Sequence, residues 1–236
     1  MSEAIIITPV KDSLETTKRT IDAISKAEGD FQHFIFNDFS QQATKDYLES
    51  AKNKLGFQLI NLEDITSNPS PNYKMVLEMA QKMALERHQP LIIVESDVVV
   101  KKDTLQQLVQ ISKKKEKIGL AGAITVDEAG NYNFPYTFEK KKSSEVVDTP
   151  HSLSFCCTLI SEELLKEFDF HSLSPKKDWF DVYISRQSKK LGFTNYLAKG
   201  LEVLHLPHSS RPWKNLKYTN PVLYYLKKII NKRDRI

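Results

Sequence analysis

Short apolar runs alternate with amphipathic stretches through the first half of the chain. The runs are rich in β-branched and aromatic residues at successive positions, which is typical of strands buried on both faces. Between the runs, apolar residues recur every three or four positions, as in helices that cover a sheet. The predicted strands lie at 4–8, 31–36, 57–62 and 91–100, and the predicted helices at about 14–27, 41–54, 72–88 and 103–115. This fourfold alternation predicts an α/β fold with a mostly parallel central sheet flanked by helices on both faces.

Proline and capping residues indicate where some of these elements begin and end. Pro9 is expected to end the first strand, because it lacks a backbone N–H. Ser70-Pro71 is typical of a helix start, with Ser70 as the cap and Pro71 at the first helical position. Asp103 is the expected cap of the fourth helix, and Gln106 three residues later completes a partial capping box.

The pattern becomes less regular after the next predicted strand, which covers 118–126. Residues 127–149 contain isolated glycine and proline, and they predict a hairpin or an excursion on the surface. The later predicted elements are a strand at 152–160, helices at 161–168 and 179–190, and one or two strands over 194–204. We therefore expect one domain over 1–212, with a regular half of about 1–125 and a smaller, irregular half of about 126–212.

The charge of the chain is concentrated at its C-terminus. The net charge is +4, but residues 214–236 carry seven basic side chains and one acidic one, so the rest of the chain has a net charge of −2. A nucleic-acid-binding domain is more often basic over a face of its body, so nucleic acid is not an expected partner. Pro221 is expected to begin an amphipathic helix that ends near residue 232. This basic tail, 213–236, predicts contact with an anionic membrane surface, with packing on the body or an oligomer contact as the alternatives.

Composition places the chain among soluble globular proteins. Of its 236 residues, 40% are hydrophobic and 27% charged, and no apolar run approaches the roughly 18–20 residues of a membrane span. The N-terminus lacks the basic and apolar regions of a signal peptide. The only two cysteines, Cys156 and Cys157, are adjacent and so are poorly placed to pair with each other. We expect a cytoplasmic protein, with peripheral contact at the inner face of the membrane as an extension of that prediction.

Acidic side chains and imidazoles follow the predicted strands. Ligands of open α/β sheets bind beyond the carboxyl ends of the strands, where such groups would meet. Carboxylates two positions apart offer hard oxygen ligands to a divalent cation that also holds phosphate. The chain contains no phosphate-binding P-loop, no G-x-G-x-x-G and no G-x-S-x-G. The candidate groups are Asp38, Glu95, Asp97, Asp181, His205 and His208.

The order of these features resembles the family 2 glycosyltransferases, which have the GT-A fold. The resemblance covers about residues 4–210, and it depends on the order and spacing of several short segments. These are 5–10 (IIITPV), 34–40 (FIFNDFS), 93–97 (IVESD), 178–181 (DWFD), 185–193 (SRQSKKLGF) and 203–205 (VLH). The segment IVESD resembles the family's Asp-x-Asp strand, and DWFD resembles its Glu-Asp pair.

The resemblance implies transfer of a sugar from a nucleotide-sugar to an acceptor hydroxyl by metal-dependent inverting displacement. Residues 1–125 would bind the donor, and residues 126–212 would bind a glycan or lipid-linked acceptor in the synthesis of a surface glycan or polysaccharide. The metal would be Mn²⁺ or Mg²⁺, bound by Asp97, and His205 or His208 would complete its coordination or contact the diphosphate. Asp181 would be the catalytic base, with Asp178 as its rival. The residues implied around the nucleotide are Pro9, Asp38, Glu95 and Ser96.

The sequence also departs from the family pattern. Asn37 stands where the family often has Asp, Glu95 replaces the first Asp of Asp-x-Asp, and Phe180 replaces the Glu before the base. These departures leave open an inactive GT-A-like binding module. A nucleotidyltransferase is the other alternative, but residues 8–12 contain one lysine and no glycine, unlike a phosphate-binding loop of such an enzyme.

Overall fold

The computed structural model describes residues 2–139, 142–174 and 179–206, together with Asn220, Val222, Leu223 and Leu226. The strands are β1 Ala4–Val10, β2 Phe31–Asn37, β3 Phe57–Asn61, β4 Leu91–Val94, β5 Val98–Val99, β6 Ile118–Val126, β7 Val146–Asp148, β8 Cys157–Ile160 and β9 Thr194–His205. The helices are α1 Leu14–Ser25, α2 Gln42–Leu55, α3 Tyr73–Arg87, α4 Thr104–Lys114, α5 Glu162–Glu167 and α6 Phe180–Lys190. Asp178, His208 and nearly all of the predicted tail helix lie outside the described residues.

All nine strands of this part of the chain belong to one sheet. Its order is β3-β2-β1-β4-β8-β6-β9-β5, and β7 pairs with β9 off this path. The first four strands of this order run parallel, and β8 is antiparallel to both β4 and β6. Because β9 is parallel to β6 while β5 and β7 oppose β9, six of the nine strands point the same way. The predicted α/β fold with a mostly parallel sheet is confirmed.

Alternation of side chains along β1 explains why its sequence is apolar throughout. Ile5 and Ile7 point to one face, where they join a core formed with α3, α5 and α6. Ile6 points to the other face, where it packs in a core with α1 and α4. Since both faces are covered, neither set of positions needs to be polar. None of the helices in the described part of the chain combines the length and the apolar character needed to cross a membrane.

The first strand continues through Pro9 to Val10, so the prediction that Pro9 ends it is wrong. The N–H of Ile5 bonds to the Pro90 carbonyl just before β4, and alternate residues therefore turn their N–H towards β4. Pairing of β1 with β4 stops at Ile7. The nitrogen of Pro9 therefore faces a position where β1 has no strand partner. The sheet loses no hydrogen bond through the absence of an N–H at Pro9.

One predicted helix start and one predicted capping bond are wrong, although Asp103 is the N-cap residue of α4 as expected. Helix α3 begins at Tyr73 with Asn72 as its N-cap residue, so Pro71 is not the first helical position. The Asp103 side chain does not cap α4 and instead accepts a hydrogen bond from Gln107 Nε2 at 2.6 Å. In both places the side chain expected to cap the helix is hydrogen-bonded to another side chain. Ser70 donates to Asp38, and Asp103 accepts from Gln107.

The second half contains the larger differences from the sequence prediction. The strand predicted at 152–160 is only Cys157–Ile160, because the N–H groups of Leu153 and Ser154 bond to side chains rather than to a strand. Residues 127–149 include β7, which pairs with β9. The short strand β5 was not predicted as a separate element, and its antiparallel pairing aligns Val98 with His205.

Candidate functional site

The candidate site lies at the carboxyl ends of the parallel strands. Strands β1, β2 and β4 are neighbours in the sheet and end at Val10, Asn37 and Val94. The turn after β4 carries Glu95, Ser96 and Asp97, and the bond from Val98 N to Glu95 O at 3.1 Å closes this turn. Ser96 and Asp97 are buried in the turn, whereas Glu95 is half-buried.

The reversal of the chain into β5 places Asp97 beside His205. Val98 pairs with His205, and Leu206 N donates to Asp97 O at 2.8 Å. Asp97 Oδ2 lies 3.3 Å from His205 Nε2, and both side chains are about nine-tenths buried. Two residues separated by more than a hundred positions in the chain therefore form one polar pair at the sheet edge.

The imidazole of His205 is oriented by the loop that follows β6. Its Nδ1 lies 2.7 Å from the Phe134 carbonyl, which can only accept, so Nδ1 carries the proton and Nε2 faces Asp97. Asn133 Nδ2 donates to the His205 carbonyl at 3.0 Å. Burial alone would lower the pKa of His205, but the hydrogen bond and charge of Asp97 outweigh it, and the pKa is raised above its usual value.

The Asp97–His205 pair has the donor chemistry of a divalent metal site. A carboxylate oxygen and an imidazole nitrogen suit Mn²⁺, and the Nδ1 bond to a backbone carbonyl is the outer-shell contact that metal-binding histidines usually make. Two ligands with bonds of about 2.1 Å at right angles would lie roughly 3 Å apart, close to the observed 3.3 Å. Across the described ranges, no group of three or more His, Cys, Asp or Glu is arranged to hold a metal. Asp97 and His205 would supply two ligands, and oxygens of the substrate or of water are suited to the remaining positions.

Cys156 lies between the acidic residues of the site. Its Sγ is 3.6 Å from Glu95 Oε2, and its carbonyl accepts from Glu95 N at 3.0 Å. The pKa of the Cys156 thiol is well above its usual value, first because of burial and then because of the charges of Glu95 and Asp97, with a smaller effect from Asp181. Because the charges of all three carboxylates act on one thiol, Glu95, Asp97 and Asp181 lie in the same part of the molecule.

Helix α6 carries Asp181 into this region. Asp181 is half-buried in the first turn, and its Oδ1 accepts from Val182 N at 2.8 Å. The helix is fixed to the sheet through Ser185, whose Oγ accepts from Leu153 N at 3.0 Å and whose carbonyl accepts from Asn195. Phe180 is buried and its ring lies 6.1 Å from that of Tyr73, so this departure from the family pattern serves the core.

Asp38 is held by the loop that precedes α3. Its Oδ2 accepts from Ser70 Oγ at 2.7 Å and from Asn72 N at 2.9 Å, and its Oδ1 accepts from Asn72 Nδ2 at 2.8 Å. The carboxylate is buried, and it joins the end of β2 to residues 70–72. Ser70 therefore bonds to Asp38 instead of capping α3. Pro9 lies half-buried near the end of β1.

Replacing Asp38 with alanine is expected to destabilise the protein by about 2–4 kcal/mol. The change removes three hydrogen bonds to a charged acceptor and leaves buried donors of Asn72 without their partner. Urea denaturation would measure this loss. Asp46→Ala is a matched control because Asp46 is exposed and bonds only to Gln42 within α2 among the described contacts. Equal stability of the two variants would contradict the role of Asp38 in anchoring the loop.

Several residues that shape the site carry no local sequence signal. Asn72, Asn133 and Cys156 each act through a partner more than thirty positions away. Phe134 acts through its backbone carbonyl, so its side-chain type gives no indication of the contact. Spacing along the chain identified the acids and His205, but it could not identify the groups that orient them.

A cavity of about 370 Å³ lies away from these residues. It lies near the start of β6 and the C-terminal ends of α4 and α6. This is the end of the sheet opposite to the carboxyl ends of β2 and β4, which the acids follow. Its lining residues are Ser112, Lys115, Lys117, Ile118, Glu163, Glu167, Leu191, Gly192 and Phe193. The convergence of acids and His205, rather than cavity size, therefore locates the candidate site.

Comparison of the sequence with protein families matches most of its length. The family model described as glycosyltransferase-like family 2 matches residues 4–220, which is most of the chain. No curated protein matches the sequence significantly.

Solved structures share the fold over most of this chain. The mannosyltransferase PcManGT from Pyrobaculum calidifontis, in complex with GDP-Man and Mn²⁺, has a TM-score of 0.66 and 14% identity, covering 97% of this chain and 64% of its own. TarS 1-349 of S. aureus in complex with UDP-GlcNAc has a TM-score of 0.65 and 14% identity, covering 89% and 60%. GalNAc-T7 with UDP, GalNAc and Mn²⁺ has a TM-score of 0.63 and 14% identity, covering 89% and 45%. At this identity the likeness establishes the GT-A fold, and the chain spans less than two thirds of these structures.

Proposed function

The chain belongs to glycosyltransferase-like family 2, and from this membership we propose that it transfers a sugar from a nucleotide-sugar to an acceptor hydroxyl by metal-dependent inverting displacement. The observation that carries the proposal is the pairing of Asp97 with His205 at the carboxyl edge of the sheet. Glu95 and Asp181 share this region, as their effect on Cys156 indicates. Acids at this edge suit both a phosphate-binding cation and a proton acceptor.

In this proposal Asp97 and His205 hold Mn²⁺ or Mg²⁺. When bound, the cation offsets the negative charge of the diphosphate leaving group. Glu95, which borders the same turn, faces the ribose side of the donor, and Ser96 and Pro9 border the nucleotide. Asp38 holds the loop at 70–72 in place beside the nucleotide through the hydrogen bonds described above. His208, which lies outside the described residues, is the alternative metal ligand.

Asp181 is the proposed general base. As the acceptor oxygen attacks, its proton moves to the Asp181 carboxylate, which must therefore lie within hydrogen-bond reach of that hydroxyl. The first turn of α6 presents Asp181 from the half of the chain opposite β1–β4, so the acceptor approaches from residues 126–212. Asp178, outside the described residues, remains the rival base.

The bound ligands of the structural neighbours support this donor class. PcManGT contains GDP-Man with Mn²⁺, and TarS contains UDP-GlcNAc. Since the two donors differ in both base and sugar, the proposal extends to a nucleoside-diphosphate sugar and not to a particular one. The seven basic residues of 214–236 support an acceptor near an anionic membrane surface, such as a lipid-linked or growing surface glycan.

Metal-dependent nucleotide binding tests the proposed function. UDP, GDP, ADP and CDP are each added with Mn²⁺, and thermal unfolding is recorded with EDTA as the control. A ligand at 100 times its dissociation constant stabilises a protein by about 2.7 kcal/mol, which corresponds to roughly 5–10 °C in Tm for a chain of this size. At least one nucleotide is expected to give this shift only with metal. If no nucleotide raises the Tm in the presence of metal, the proposed enzymatic function is contradicted and an inactive binding module is favoured.

A further inference from the structure

Two exposed phenylalanines and an exposed histidine lie in the segments at 134–138 and 151, beside the candidate site. Phe134 is 46% exposed and Phe138 is 41% exposed, and His151 is also exposed. The rings of Phe138 and His151 lie 4.3 Å apart with an angle of 44° between their planes. We call Phe134, Phe138 and His151 the aromatic ledge. Large exposed aromatic side chains grouped in this way are typical of a binding surface rather than of solvent-facing loops.

The aromatic ledge is connected to the acids through short contacts. The Phe134 carbonyl orients His205, as described above. The ring of Phe138 packs edge-on against buried Tyr136, with 6.0 Å between ring centroids. The Tyr136 hydroxyl accepts from Ser154 N at 3.1 Å, and Ser154 Oγ lies 3.3 Å from Cys156 Sγ, next to Glu95. The ledge therefore borders the site on the side of β6 and β8.

Asp181 lies on the same side of the site. Helix α6, which carries Asp181, is fixed to this side through Ser185 one turn later, whose Oγ accepts from Leu153 N at 3.0 Å, two residues after His151. In agreement with this placement, the charge of Asp181 contributes to raising the pKa of Tyr136, after the larger effects of burial and of Cys156. A molecule bound to the ledge could thus direct a hydroxyl towards Asp181. It would leave the proposed donor site at the ends of β1, β2 and β4 unobstructed.

We propose that the aromatic ledge is the acceptor subsite and that it binds a pyranose ring by its apolar face. This inference rests on the proposed function, because it assigns the acceptor of that same reaction to a carbohydrate. A pyranose presents C–H groups on one face, which pack against the face or edge of an aromatic ring, and hydroxyls around its rim. Phe138 supplies the ring for the apolar face, and the neighbouring imidazole of His151 supplies a nitrogen for a rim hydroxyl.

The polar imidazole favours a sugar over a lipid chain on this surface. An acyl or polyprenyl chain gains by covering continuous apolar area, and burying a ring nitrogen beneath it without a hydrogen bond is unfavourable. The His151 ring is tilted against Phe138 with 4.3 Å between centroids, so a sugar ring that contacts Phe138 would also be near the imidazole nitrogens. A pyranose has C–H groups and hydroxyls within one ring, so it can contact both the phenyl ring of Phe138 and the imidazole of His151.

Binding of simple glycosides provides the test. Methyl glycosides of glucose, galactose, mannose and N-acetylglucosamine are each added to the full chain with Mg²⁺ and the nucleotide that stabilises it. Saturation-transfer NMR then reports which ligand protons contact the protein. Phe138→Ala is expected to weaken binding of at least one glycoside about fivefold, while Phe138→Tyr retains it. Leu191→Ala is the matched control, because Leu191 is 42% exposed and lies at the opposite edge of the sheet.

The outcomes distinguish this inference from the proposed function. Nucleotide stabilisation is measured on every variant, and its absence in the wild type would overturn the donor site itself. If nucleotide binds and no methyl glycoside contacts the wild type, or if Phe138→Ala binds as well as Leu191→Ala, the ledge is not the acceptor subsite. Octyl glycosides serve as a second probe, and saturation confined to their alkyl protons would assign the surface to a lipid chain and overturn the proposal.

Discussion

Replacing Asp97 with alanine is expected to abolish sugar transfer while the fold is retained. The carboxylate is one of the two proposed protein ligands of the cation, and it lies 3.3 Å from the other, His205. Without it, the charge on the leaving diphosphate is offset poorly, and loss of such a charge-stabilising group slows catalysis on the order of a thousandfold or more. The fold is retained because the contacts of the Asp97 backbone, including the bond from Leu206 N, do not involve the side chain.

Metal affinity separates loss of the ligand from loss of structure. Mn²⁺ binding is followed by the decrease in its free-ion EPR signal, and nucleotide release by a coupled assay. Asp103→Ala is the control, because it removes the same charge from an exposed position that bonds to Gln107. We expect Asp97→Ala to lose both Mn²⁺ binding and turnover, and Asp103→Ala to keep both. An Asp97→Ala protein that binds Mn²⁺ with wild-type affinity would remove Asp97 from the metal site.

The part of the fold that the sequence predicts is the part determined by local periodicity. Ile5, Ile6 and Ile7 indicate a strand covered on both faces, and the helical spacing that follows indicates what covers it. Because parallel strands place their carboxyl ends together, the acids after β2 and β4 could also be assigned to one edge before any contact was known. These inferences need only the period of the pattern and the rule that short connections join neighbouring strands.

The missed features depend on contacts between distant parts of the chain. A two-residue strand such as β5 has too few residues for a period, yet its pairing with β9 places His205 beside Asp97. The strand predicted at 152–160 is shortened because Ser185 and Tyr136 take the N–H groups of residues 153 and 154. Secondary-structure propensities cannot predict these hydrogen bonds, because each partner is brought into place by the tertiary structure.

Each of the three departures from the family pattern has a structural context in this chain. Asn37 is buried, and its Nδ2 donates to Asn61 Oδ1 at 2.9 Å. Glu95 is longer than the usual aspartate, and its Oε2 lies 3.6 Å from the thiol of Cys156 on the adjacent segment. Phe180 packs in the core against Tyr73 instead of facing the acids. None of these changes removes Asp97, His205 or Asp181 from the region around Cys156. The departures are therefore compatible with an active enzyme, and the remaining question is which acid accepts the proton.

Replacing Asp181 with asparagine is expected to lower kcat by a factor of about 10²–10⁴ and to leave metal and nucleotide affinity unchanged. The asparagine amide oxygen can still accept from Val182 N, as Asp181 Oδ1 does at 2.8 Å, so the start of α6 is preserved. The amide cannot accept the proton of the acceptor hydroxyl, and loss of a general base typically costs this factor. The proposed metal and nucleotide groups lie at the ends of β1, β2, β4 and β9 rather than on α6, so these affinities should not change.

Asp178→Asn is the matched variant for this experiment, because it makes the same chemical change three residues earlier. Initial rates at saturating donor give kcat for the two variants, and Mn²⁺ titration confirms that the metal site is intact in each. If Asp181 is the base, its variant alone shows the large loss, because only that substitution removes the proton acceptor. A larger loss in Asp178→Asn would instead assign the base to Asp178. Equal, small losses would show that neither aspartate accepts the proton, which would overturn the proposed general-base step on this helix.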